Sequence, residues 1–264
     1  MARRRLDVEL VRRGLASSRA AAQEAVRAGL VRVRGTPAAK PASLVAPDEP
    51  LHVVAAPREF VSRGGTKLRA ALDRFGLDPS GRDCLDAGAS TGGFTDCLLR
   101  AGARRVAAVD VGYGQLAWSL RNDRRVIAIE RMNVRELETG NLPFVPTFVV
   151  ADLSFISLRT VLPALARVAA RDAEFVLLVK PQFEAGSHDV GKGGVVSDPA
   201  VWRRVIDAVA DACKETGLTP LGAMASPITG PAGNVEFLLH ARGGAGDRVL
   251  DASAAVSEGE SVRA

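Results

Sequence analysis

Four residues of this 264-residue chain combine reactive chemistry with an unusual placement: Lys67, Asp152, Lys180 and Glu236. Lys180 follows FVLLV in the stretch FVLLVKPQFE, and the apolar run Phe175 to Val179 reads as a strand buried on both faces. Pro181 ends the strand pairing, so an ammonium is carried to the lip of an apolar core. Asp152 closes another apolar run, in FVVADLSF. Lys67 precedes the first strand of the same region, in GGTKLRAAL, and Glu236 lies in the last one, in NVEFLLHA. Two lysines and two carboxylates can converge above one site. There a neutral amine would accept a proton, and an ammonium would oppose developing negative charge. Any one of them alone is more simply a solvated surface charge. Lys180 is the exception, because its strand is apolar.

The stretch DAGASTGGFTD, Asp86 to Asp96, supplies a ligand loop beside that constellation. It joins a strand ending in CLDAG to a helix, the position where open α/β sheets bind ligands. Gly88, Gly92 and Gly93 remove side chains where a backbone bends or touches a ligand. The loop lacks the GK[ST] of a P-loop, and its GxxxGG spacing departs from the dinucleotide pattern GxGxxG. S-adenosylmethionine (SAM) fits better, since its methionine part lies along a strand-end loop with an acidic residue and glycines. A glycine turn that only packs strand on helix is the alternative. Asp110 ends the next strand in AAVDVGYG and can accept from ribose hydroxyls, which suits a dinucleotide equally. Asn133, in IERMNV, can read an adenine edge or cap the segment VRELE.

These residues need a frame, and the chain provides one. From Arg82 onward, apolar strands alternate with helices: CLDAG, GGFTDCLLRAG, RRVAAVD, GQLAWSLRN, RVIAIE, TFVVADL, SLRTVLPALARVAA and EFVLLVK. A helix near Pro199 to Gly217 and two strands, LTPLGAMASP and NVEFLLHA, close the unit. This alternation predicts an α/β fold, Rossmann-like, with a mostly parallel seven-stranded sheet. A hydrophobic share of 47% supports a substantial core. The stretch EAGSHDVGKGGVVSD reads as a long glycine-rich loop, either a lid over a target or a plain mobile loop. The Gly-, Ala- and Ser-rich segment 243–264 reads as a flexible tail.

The first 60 residues form a separate module. They carry eleven Lys/Arg against six Asp/Glu, which accounts for the whole net charge of +5. Such a module suggests a polyanion partner, with nucleic acid first; a merely solvated basic face is the alternative. ELVRRG reads as a short helix, SRAAAQEAVRAG as a second one capped by Ser17 or Ser18, and LVRVRG and LHVVA as strands. No apolar run approaches the length of a membrane span, and MARRRLDVELVRR lacks the apolar core of a signal peptide. Cys84, Cys97 and Cys213 form no CxxC pair, which suits a reducing cytoplasm. The histidines, His52, His188 and His240, are isolated, so no metal site is expected.

The pieces RLDVELVRRGLASSRAAA and AGLVRVRG resemble the small α+β RNA-binding domain of ribosomal small-subunit protein four. The motifs DAGASTGGFTD, DVGYGQLAWSLRND, ADLSFISL, LVKPQFE, GKGGVVSDP and GPAGNVEF resemble the TlyA family, ribosomal RNA 2′-O-ribose methyltransferases on an FtsJ-type fold. That resemblance implies an RNA-binding domain at 1–57, a linker at 58–61 and a SAM-dependent methyltransferase domain at 62–242. It implies a catalytic tetrad of Lys67, Asp152, Lys180 and Glu236. It places SAM on Asp86, Gly88, Ala89, Ser90, Thr91, Gly92, Gly93, Phe94, Asp110 and Asn133, with no metal. It sets Arg3, Arg4, Arg5, Arg19, Lys40 and Arg63 against RNA phosphates. The implied substrates are cytidines in the ribosomal RNA of both subunits, and a cytoplasmic monomer is expected. Where the family pattern has a tryptophan in the linker, this chain has Phe60. Rival readings are a pyridine-nucleotide dehydrogenase, a non-catalytic RNA-binding or ribosome-assembly factor, and a haemolysin, the label the family also carries.

Overall fold

The computed structural model describes residues 3–16, 18–54, 59–244, 246 and 249–263. Two compact units emerge, Met1–Arg58 and Glu59–Ala264. Of the linker 58–61, residue 58 lies outside the described residues, as does Ser17 among the two candidate caps.

In the small unit, β1 (Arg4–Arg5) leads into α1 (Leu6–Arg12), then α2 (Arg19–Arg27), β2 (Val31–Val33), β3 (Thr36–Pro37), β4 (Leu44–Val45) and β5 (Leu51–Val53). Ser18 caps α2, its Oγ accepting from Ala21 N at 3.1 Å. The sheet order is β3-β2-β5, with β1 paired to β4. Among the described residues seven apolar ones are buried in its core, including Leu6, Leu10, Val26, Val31 and Leu51. Such a core is small, and two buried carboxylates, Asp7 and Glu9, tie arginines around it.

The large unit begins with α3 (Gly64–Phe75), preceded by Phe60. Phe60 is buried, and a Cβ on Gly65 would lie 2.2 Å from its ring, so only glycine lets the aromatic seat against α3. The chain continues through β6 (Asp83–Ala87), α4 (Gly93–Arg100), β7 (Arg105–Asp110), α5 (Trp118–Arg121), β8 (Val126–Glu130), β9 (Phe148–Ala151), α6 (Leu158–Val168) and β10 (Glu174–Val179). Then follow α7 (Pro181–Glu184), α8 (Pro199–Glu215), β11 (Leu218–Ala225), β12 (Phe237–Gly243) and α9 (Ser253–Arg263). The seven strands order as β11-β12-β10-β9-β6-β7-β8. Strands β8, β7, β6, β9 and β10 are parallel, and β12 runs antiparallel between β10 and β11.

Period two sorts the strand residues to two cores. Leu85, Ala87, Val149, Ala151, Phe175, Leu177 and Val179 face one. Cys84, Phe148, Val150, Val176 and Leu178 face the other. Both faces are covered by helices, which is why these strands read as continuous apolar runs. The expected helix GQLAWSLRN shortens to the single turn of α5, since Gly114 adopts a positive φ and Gln115 is exposed.

The segment 243–264 corrects the expectation of a flexible tail. Ser253–Arg263 is helical, Ala252 and Ala255 are buried, and a Cβ on Gly259 would lie 3.1 Å from Phe237. Small residues four apart let this helix lie close to the sheet, and so the segment shows no apolar stripe in the sequence. Glu258 accepts from Arg74 at 2.7 Å and from Ala225 N at 3.1 Å.

Candidate active site

The parallel strands of the large unit all deliver their carboxyl ends to one edge. After β6 the chain winds outward through β7 and β8, then returns with β9 on the other side of β6. The crevice at this reversal is where open α/β sheets bind ligands. Asp152 N donates to Ala87 O at 3.0 Å, so the loops after β6 and β9 start side by side. Gly88 has φ +87°, and a Cβ there would lie 2.4 Å from Asp152 O. No other residue allows this approach.

Two adjoining hollows meet at Gly88, Ser90, Asp152 and Ser154. One, about 280 Å³, is lined by Lys67, Lys180, Glu236, Ala89, Thr91, Gly93 and Phe94. The other, about 670 Å³, reaches Asp110, Asn133, Arg135 and Phe155. The structure thus brings Lys67, Asp152, Lys180 and Glu236 into one cleft, from α3 and the ends of β9, β10 and β12. Lys180 Nζ lies 2.6 Å from Asp152 Oδ1 and donates to Ser154 Oγ at 2.9 Å. Lys67 donates to Glu236, and both side chains are buried. The antiparallel direction of β12 matters here, because the start of β12 lies beside the end of β10, with Val179 opposite Phe237. Pro181 takes the first position of α7, where its missing N–H costs nothing.

Asp110 fixes the loop after β6. Its Oδ2 accepts from Ser90 N at 2.8 Å and its Oδ1 from Gly112 N at 2.6 Å. Ser90 sits in the left-handed region at φ +47°. Asn133 is a helix cap, its Oδ1 accepting from Arg135 N at 3.1 Å, and it also lines the larger hollow. Asp86 is fully buried beneath the loop and lines neither hollow. Thr95 Oγ1 donates to its Oδ2 at 2.6 Å, and Oδ1 has no partner among the described residues. Burial pushes this carboxyl up to about 7, and the nearby charges of Asp152 and Asp110 add to the rise against the Thr95 bond. Gly92 lies behind the loop, close to Leu116 and Leu120.

Sequence reasoning missed Ser154, Phe155 and Glu184. Phe155 is 91% exposed at φ +64°, with its ring 5.2 Å from that of Phe183. Glu184 accepts from Ser157 Oγ at 2.5 Å and Leu158 N at 2.6 Å, tying the segment after Lys180 to the helix after Asp152. The glycine-rich loop is pinned by buried Asn234, which accepts from Val196 N at 2.9 Å and donates to Gly194 O at 2.8 Å. Arg63 is exposed at the smaller hollow, whereas Arg3, Arg4, Arg5, Arg19 and Lys40 belong to the small unit. Among the described residues, no cluster of His, Cys, Asp or Glu could hold a metal, and no helix is long and apolar enough to cross a membrane.

Known proteins share this architecture. A family model described as FtsJ-like methyltransferase matches residues 60–243, and an S4 domain model matches residues 4–51. The chain is 54% identical to the 16S/23S rRNA (cytidine-2′-O)-methyltransferase TlyA of Mycobacterium tuberculosis, over 98% of this chain and 100% of that protein. A solved structure described as a candidate hemolysin of Streptococcus thermophilus is 37% identical, with TM-score 0.76, covering 99% of this chain and 97% of that one. One described as a candidate SAM-dependent methyltransferase of Listeria monocytogenes covers 69% of this chain and 99% of that one. With TM-score 0.52 at 14% identity, it shares the fold alone. On this evidence the chain belongs to the TlyA family of FtsJ-like methyltransferases.

Proposed function

We propose that the protein transfers a methyl group from SAM to the ribose 2′-hydroxyl of cytidines in small- and large-subunit ribosomal RNA. The carrying observation is the convergence of two lysine–carboxylate pairs on one cleft beside the glycine loop. The cleft suits SAM on its own terms. Gly88 leaves no side chain between the loops, the exposed Ser90 and Thr91 line the smaller hollow, and Asp110 and Asn133 lie in the larger hollow, where they would hold SAM. Together the hollows are within the range that encloses ligands of this size. The cofactor supplies an electrophilic methyl carbon on a sulfonium.

The chain's own residues must orient the hydroxyl and stabilise charge on it. Lys180 Nζ lies 2.6 Å from Asp152 Oδ1 as an ion pair and donates one N–H to Ser154 Oγ, which leaves donor capacity for the ribose oxygen. Held in this way, Lys180 acts as a fixed positive charge against the oxygen. The buried Lys67–Glu236 pair lines the same hollow. Phe155 offers an exposed aromatic face beside Asp152, suited to stack a base taken out of its RNA stack. The strained backbone at Phe155 supports this reading, because strain of that kind gathers at functional sites. The arginines of the small unit supply phosphate contacts.

Transfer of labelled methyl from SAM to purified ribosomal subunits, followed by mapping of 2′-O-methyl positions, tests the reading. Methylated cytidines in both RNAs are expected, and label at base nitrogens or none at all would refute it. In Lys180→Arg the charge is kept; residual transfer is expected, and complete loss with intact SAM binding would instead assign Lys180 to proton acceptance.

A further inference from the structure

The small unit holds a carboxylate that the mechanism does not use. Asp7, in the first turn of α1, is fully buried, yet it collects five donors. Its Oδ1 accepts from Arg5 Nε at 3.1 Å and Val8 N at 2.9 Å. Its Oδ2 accepts from Arg5 Nη2 at 2.9 Å, Arg19 Nε at 3.1 Å and Gln23 Nε2 at 2.9 Å. We propose that Asp7 is a positioning residue that aims Arg5 and Arg19 as a preformed fork for RNA phosphates, a role that rests on the RNA-binding reading of this unit. Arg19 reaches Asp7 through Nε alone, so among the described residues both its terminal nitrogens remain free, and its side chain is 58% exposed. Arg5 keeps Nη1 free and is 42% exposed. A guanidinium held at its neck presents a planar donor pair to phosphate with less ordering left to do on binding.

The neighbouring carboxylate provides an internal contrast. Glu9 is equally buried and binds Arg12 and Arg13. Arg13 spends its remaining donors on Glu49 O, Ala46 O and Pro47 O and is only 22% exposed. That arrangement staples the unit: four of the five N–H groups of Arg13 are taken, against one of five for Arg19. Arg12 on Glu9 resembles Arg5 on Asp7, with Nη1 free and the side chain 47% exposed, so the contrast between the two acids rests on Arg13 against Arg19.

The test turns on sign. Asp7→Asn removes a negative charge from a basic surface, so charge alone predicts tighter RNA binding. Positioning predicts weaker binding. Full-length wild type, Asp7→Asn, Arg19→Lys and Arg19→Ala are titrated against purified 16S and 23S ribosomal RNA over a salt series, with thermal melts in parallel. For Asp7→Asn, affinity is expected to fall about tenfold, and the slope of log affinity against log salt to shrink by about 1, one phosphate contact. Arg19→Lys, which keeps the charge on an exposed position and loses the clamped fork, is expected to lose nearly as much as Arg19→Ala. It decides the matter should Asp7→Asn fail to fold. Equal or tighter binding by Asp7→Asn, or wild-type affinity in Arg19→Lys, overturns the positioning role if Arg19→Ala still binds weakly. Unchanged affinity in Arg19→Ala overturns the RNA-binding reading of this face, and the positioning role with it.

Discussion

Asp7 and Glu9 in the small unit and Asp86 in the large one are carboxylates buried in opposite ways. In the small unit, Asp7 and Glu9 are sealed and saturated, and their arginines hold Asp7 well below the usual carboxylate range and Glu9 at about 2. In the large unit, Asp86 is sealed and half-satisfied, raised to about 7 by burial, while Asp152 and Glu236 line a cleft beside lysines. A unit with seven buried apolar residues among those described uses ion pairs to hold its arginines in place. A unit with two broad cores has stability to spare, and can hold charge in awkward places where chemistry needs it.

Experiments can break or sharpen this contrast. The largest effect is expected from Lys180→Ala, which should lower methyl transfer by roughly 10²- to 10³-fold while leaving the melting temperature nearly unchanged, as radiolabel transfer and calorimetry would show. Stability lost in parallel would make Lys180 a fastener after all. Removing residues 1–58 should abolish transfer to ribosomal subunits yet preserve SAM binding by calorimetry, since the large unit has its own cores. Loss of SAM binding would contradict that separation.

Acid should act unequally on the units. Asp7 and Glu9 have depressed values, so their stabilisation is present above the unfolded value of about 4 and disappears as pH falls through the folded values. Asp83, lowered to about 2 by Arg105 and Arg104, acts likewise in the large unit. Asp86 has the opposite sign: its raised value makes the fold more stable as pH falls from about 7 toward 4, offsetting part of that loss. The small unit should therefore melt first. Both tryptophans, Trp118 and Trp202, lie in the large unit, so circular dichroism should change before tryptophan fluorescence in an acid titration. The smallest effect concerns Asn133. Asn133→Ala should cost about 1 kcal/mol of local stability as a lost cap. Asn133→Asp keeps an acceptor for the cap but loses the amide donor, so weaker SAM binding at unchanged stability would separate the two roles.

Much of the large unit was legible because its information is periodic. Apolar runs ending in Asp152 and Lys180 announce strands, and the mostly parallel sheet follows from alternation with helices. Phe155 could not be found in this way, since its prominence comes from a positive φ that only the folded turn reveals. Helix α9 was missed because close packing on Phe237 selects glycine and alanine, which also compose disordered tails. Asp7 and Glu9 look in sequence like ordinary acids in the first turn of a helix; their burial depends on arginines and loops far along the chain.

The antiparallel strand β12 has a consequence in time. Glu236 meets Lys67 across 169 residues of sequence, and it immediately precedes β12, the last strand of the sheet in chain order. During synthesis the glycine loop, Asp152 and Lys180 all emerge before it. The cleft therefore has one wall missing until almost the whole chain has left the ribosome.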